Sequence, residues 1–136
     1  MDDFHKLNRL AKLYNLQNLG FLNLTTEEIN ETGVRSIVLL GPNEPQFWRD
    51  FTKSSEKTDN LPHPLDRWTK RVLSDISTEL KTKAFFPFDG PPYWPFYSWA
   101  LRSGESFRSP INFLVHVRVG LFISFRGAIG LQHSIG

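Results

Sequence analysis

No cysteine occurs among the 136 residues. A disulfide, a cysteine-ligated zinc and a thiolate-held iron–sulfur cluster are therefore excluded as properties of this chain alone. Lack of cysteine also fits a reducing compartment. Long apolar runs are missing too, and the longest stretches are too short to span a bilayer. The first residues, Met1-Asp2-Asp3-Phe4-His5-Lys6, are acidic first and contain no apolar core of a signal peptide. The expectation is a soluble cytoplasmic protein without membrane contact. No Lys/Arg run marks a nucleic-acid arm, so no nucleic-acid site is assigned. Gly-x-Ser-x-Gly, the P-loop and Gly-x-Gly-x-x-Gly do not occur. The four histidines, His5, His63, His116 and His133, share no metal-ligand spacing. No catalytic residue and no metal ligand is assigned, and a free-standing enzyme is the least supported reading.

What is present points to one domain over residues 1–136, long enough to bury a core without staples. Net charge is only +2, but the charges segregate. Residues 1–83 carry 12 basic and 12 acidic side chains, whereas residues 84–136 carry Arg102, Arg108, Arg118 and Arg126 against Asp89 and Glu105. Such arginines are either solvated and paired with carboxylates or gathered into an anion site. Aromatics segregate in the same direction: 12 of 19 lie between Phe85 and Phe125. They make either an aromatic core or a lined pocket for a flat ligand.

Phe4, Leu7, Leu10, Ala11 and Tyr14 form the apolar stripe of a helix capped by Asp2 or Asp3 and running to about Leu16, with Gly20 as a stop. Phe21–Leu24 is a short strand. Thr25–Thr32 reads as an exposed connection. Val34–Leu40 is an inner strand covered on both faces, ending at Gly41-Pro42-Asn43, a turn whose glycine and proline answer geometry. Glu44–Phe51 is a short helix with Pro45 in its first turn, and Thr52–Pro64 a surface loop. Asp66–Lys81 is the strongest helix, with Leu65, Trp68, Val72, Ile76 and Leu80 on one face. Ala84–Phe88 is a strand, Pro87–Pro95 is irregular, and Phe96–Leu101 makes one or two helical turns. Ile111–Val117 and Leu121–Phe125 form a hairpin around Arg118-Val119-Gly120. The tail from Gly127 closes no element. The fold class is α+β, a mixed sheet flanked by helices.

The most distinctive segment is Phe85-Phe86-Pro87-Phe88-Asp89-Gly90-Pro91-Pro92-Tyr93-Trp94-Pro95-Phe96. Its prolines freeze the backbone, so its rings present rigid faces. Phe88, Tyr93, Trp94, Tyr97, Trp99 and His116 are the candidate pocket for a small planar ligand. His116, inside a strand of alternating character, is otherwise a hydrogen-bonded structural residue.

This segment, with Trp99-Ala100, Ser109-Pro110-Ile111 through Val115-His116, Gly120-Leu121 and Phe125-Arg126-Gly127-Ala128, resembles the N-terminal part of a group of bacterial ferredoxin-like proteins. Their motifs run FPFGGPPxxPF…W, SPxGLLVHPxYGLW and YRGAL. The match extends upstream through Leu39-Leu40-Gly41-Pro42 and Pro64-Leu65-Asp66-Arg67-Trp68, and covers about residues 20–130. More distantly, the chain is similar to the N-terminal domain of epoxyqueuosine reductase and to cobalamin-processing proteins, which implies a nitroreductase-like domain and, in those relatives, a corrinoid. The ferredoxin-like group continues after YRGAL with Cys-x-x-Cys-x-x-Cys and Cys-Pro motifs that hold 4Fe–4S clusters. Here the chain runs Leu131-Gln132-His133-Ser134-Ile135-Gly136 instead.

The resemblance thus implies a cluster-less N-terminal domain, truncated or standing alone, that keeps a binding or scaffold role toward a redox partner and holds no cofactor itself. Two other readings stay open. One is a corrinoid- or flavin-binding module. The other is an interaction domain that exposes the aromatics at 93–99, with Trp94 and Trp99 accessible.

Overall fold

The computed structural model describes residues 2–108, 114–116, 118 and 125–135. Helix α1 spans Asp2–Leu13. It stops short of Leu16 because Asn15 takes a left-handed conformation, φ 59°, which asparagine tolerates better than most residues. Strand β1, Leu16–Asn23, then begins earlier than expected. Gly20 is no helix stop. It lies within β1, where the register with the next strand shifts between Asn18 and Gly20. Its φ of +141° suits only glycine, and a β-carbon there would come 2.6 Å from Ser103 Oγ.

Residues expected as an exposed connection form helix α2, Thr26–Thr32. Thr25 and Glu28 make a reciprocal capping box, and Gly33 closes the helix at φ 79°. Strand β2, Ser36–Pro42, is inner and buried, as the sequence predicts. Helix α3 covers Gln46–Thr52. The predicted loop after it contains a single-turn helix α4, Ser55–Thr58, whose cap Ser54 accepts from Lys57 N. Helix α5, Pro64–Glu79, buries Trp68, Val72, Leu73 and Ile76 along the expected stripe. Strand β3 is only Ala84–Phe85, because Pro87 cannot donate to a ladder. Helix α6 is Phe96–Arg102.

A short strand β4, Ser106–Arg108, pairs antiparallel with β5, Leu114–His116. Among the described residues β5 pairs with β4, which lies upstream of it. The second strand expected at Leu121–Phe125 lies, apart from Phe125, outside the described residues. The largest correction concerns the tail. Gly127–Leu131 is strand β6, buried at every position and inserted between β2 and β3.

The fold is α+β. Its main sheet, in the order β1-β2-β6-β3, is antiparallel at each of its three pairings rather than mixed. Two cores follow from the pleat of β2. Val38 and Leu40 face Leu7 and Ala11 of α1, Phe47 and Phe51 of α3, and the α5 stripe. Ile37 and Leu39 face Phe85, Phe96, Trp99 and Ala100. The end of the chain is pinned by Asn23, whose side-chain amide donates to the Ile135 carbonyl at 2.8 Å and accepts from Ile135 N at 2.7 Å. Among the described residues no helix is long and apolar enough to cross a membrane.

Candidate functional site

The proline–aromatic segment between β3 and α6 does not present its rings on one side. Phe85, on β3, packs into the core with Trp99 and Ala100. Phe86 points to the opposite face, as a strand's alternation requires, and stacks on half-buried Phe88 with centroids 5.2 Å apart. Lys70 of α5 sits over the Phe86 ring at 5.8 Å and pairs with Asp89 at 3.6 Å. Phe88 thus belongs to the α5 side.

Beyond Asp89 the chain crosses to the other side. Trp94 meets Phe85 edge to face at 5.0 Å and lies nearly parallel to Trp99 at 6.2 Å. Trp99 is 1% exposed, and its indole N–H has no hydrogen-bond partner among the described residues. Tyr93 is 61% exposed and Tyr97 41% exposed. The Arg108 guanidinium lies over the Tyr97 ring at 5.8 Å, with Nε donating to the phenol oxygen at 3.3 Å.

His116 is buried beside β1. Its Nε2 meets the Leu19 carbonyl at 2.8 Å, and its Nδ1 accepts from Arg118 N at 3.1 Å. A carbonyl can only accept, so the proton sits on Nε2. Nε2 thus ties β5 to β1, and Nδ1 holds the backbone of residue 118 against β5.

The six candidate residues lie on different elements and against both faces of the main sheet. Phe88 lies against the α5 core, Trp94 and Trp99 against the opposite core, and His116 beside β1. Tyr93 and Trp94 line a depression of about 350 Å³ together with Pro92, Pro95 and Glu31. The buried Trp99 also corrects the interaction reading, which requires it to be accessible. The large exposed rings near this segment are Tyr93, Tyr97 and Phe107.

The four C-terminal arginines are dispersed. Arg102 makes a two-pronged pair with Glu28 at 2.6 and 2.8 Å, and this guanidinium holds the Glu28 carboxyl at about 2, well below its usual value. Arg118 donates to Gln17 Oε1 and to the Asn18 carbonyl at 2.9 and 2.8 Å. Arg126, at the start of β6, is mostly buried and 3.8 Å from Asp66. Its Nε and Nη1 have no hydrogen-bond partner among the described residues, and burial pushes its pKa below the usual value. No anion site made by several of them together is present among the described residues.

Glu31 is the lining residue that sequence reasoning missed. Its place reads as an exposed connection by composition, although Thr25-x-x-Glu28 followed by Gly33 is a helix signature. Among the described residues no group of three or more acidic, histidine or cysteine side chains could hold a metal ion. No protein-family model matches the chain, and no significant match is found among curated proteins or solved structures.

Proposed function

We propose that this chain is a scaffold domain equivalent to the N-terminal part of a ferredoxin-like protein, serving a redox partner rather than carrying electrons itself. In this reading the fold is of the nitroreductase-like kind and the compartment is the cytoplasm. One observation carries the proposal. The residues of the resemblance are distant in sequence but adjacent in the sheet. Leu39 pairs with Ala128, which pairs with Phe85, so three motifs form one row across β2, β6 and β3. Trp99 and Ala100 cover that row. Motif residues that build a common core in this way are suited to preserving a shape, and a shape is what a docking scaffold keeps when its chemistry is elsewhere.

The test is to sequence the transcript past the codon for Gly136. Cys-x-x-Cys-x-x-Cys codons, in the same or a shifted frame, are the expected result. A transcript with no such codons in any frame overturns the reading.

A further inference from the structure

We propose that the depression bounded by Glu31, Pro92, Tyr93, Trp94 and Pro95 is a binding site for a small alkylammonium cation, free in solution. The inference does not depend on the scaffold reading, and either can fail without the other.

Trp and Tyr have the aromatic faces that attract a cation most strongly, through the negative potential above the ring. Trp94 is fixed from behind by near-parallel Trp99 and edge-on Phe85. The Tyr93 ring is seated over Gly90, so closely that a β-carbon there would lie 2.5 Å from Tyr93 Cδ1. Pro92 and Pro95 stiffen the backbone on either side. Little side-chain or backbone freedom is therefore left to lose when a ligand enters.

Charge supplies the second part. Glu28, on the same helix α2, is occupied by Arg102. The Glu31 carboxylate, by contrast, makes no ion pair or hydrogen bond among the described residues. Lys83, at the same corner, donates to the Thr32 carbonyl at 3.1 Å and pairs with no carboxylate there. The depression thus combines two aromatic walls with an unanswered negative charge.

Alternative ligands fit less well. An anion would meet Glu31 without a facing cation in the lining. A hard metal ion needs several oxygen ligands, and the lining offers one carboxylate. A volume of about 350 Å³ lies at the lower end of ligand pockets, which suits a compact head group.

The experiment uses the whole chain and choline as the probe, followed by backbone amide NMR. The neutral isostere of choline, with carbon in place of the quaternary nitrogen, is the control. Saturable shifts at Glu31, Tyr93 and Trp94 with choline, and none with the isostere, are expected. Glu31→Gln and Tyr93→Ala should each weaken choline about three- to ten-fold. Both positions are on the surface, so the dispersion of the remaining spectrum reports that the fold persists. Non-saturating shifts, equal binding of the isostere, or indifference to both substitutions would overturn the proposal. A trimethyllysine peptide that binds more than about ten-fold tighter than choline would overturn the free small molecule as occupant.

Discussion

The two faces of the β2–β6 pair are covered in different ways. On one side amphipathic helices supply aliphatic and aromatic side chains from regular stripes, with Val72, Leu73 and Ile76 of α5 fully or almost fully buried. On the other side a proline-broken segment and a two-turn helix supply mainly rings, with Phe85, Phe96 and Trp99 meeting at centroid distances of 5.2 to 6.0 Å. The helical cover spreads its burial over many residues. The aromatic cover concentrates it in a few. The second kind of cover has less redundancy, because the single ring of Trp99 meets Phe85, Trp94 and Phe96.

Single substitutions on each face expose the difference between them. Trp99→Ala removes the central ring of the aromatic side and should cost about 3–5 kcal/mol, and Ile76→Ala on the helical side about 2–5 kcal/mol. Both should lower the midpoint of a single urea transition, followed by circular dichroism, because both faces share β2 and β6. A second transition in either variant would mean that the two sides fold separately.

Gly127→Ala acts where the two faces meet. A β-carbon there would lie 2.4 Å from Leu73 Cδ2 and 2.9 Å from the Phe85 carbonyl oxygen. Leu73 can yield, but the carbonyl belongs to the strand paired with β6 and cannot withdraw without breaking the ladder. A loss of about 1–3 kcal/mol is expected from overpacking, read from the same urea transition. An unchanged midpoint would show that β6 has room to move between its neighbours.

Much of the helical side is legible in the sequence, and the reason is its period. Leu65, Trp68, Val72, Ile76 and Leu80 recur at turns of a helix, so α5 and its buried face follow directly. The same holds for β2, whose continuous apolar run implies an inner strand. Strand β6 is hidden because Gly127-Ala128-Ile129-Gly130-Leu131 has neither alternation nor bulk. Its glycines resemble loop residues, but they mark close approach: a β-carbon on Gly130 would come 2.6 Å from both Val34 γ-carbons. Only the folded neighbours give that information. The candidate site divides in the same way. Tyr93 and Trp94 stand out locally as rings on a stiff backbone, whereas Glu31 joins them through tertiary packing that no local pattern encodes. Trp94 and Trp99 look alike in sequence, yet Trp99 sits on the inward side of α6 and is buried.

The smallest expected effect concerns how α2 is fastened to the aromatic side. Glu28 accepts from Thr25 N at 3.0 Å in the capping box and is gripped by Arg102 of α6. Its carboxyl titrates at about 2, against an ordinary value of 4.5. A carboxyl whose pKa is depressed in the folded state contributes stability that is fully present above about 4.5 and is lost as pH falls toward about 2. Because Arg102 is more than one-third exposed, solvent screening limits the contribution to roughly 1 kcal/mol. Glu28→Gln keeps an acceptor for the cap while removing the charge, so it isolates the ion pair from the helix start. The stability difference between wild type and this variant should be constant near neutral pH, shrink below about 4.5, and vanish near 2. The helical side provides the contrast: Arg71 of α5 likewise lowers the Glu56 carboxyl, and Glu56→Gln should leave the acid dependence due to Glu28 intact. A difference for Glu28→Gln that stays flat across this range would mean that the pair fastens α2 no better than the neutral amide does.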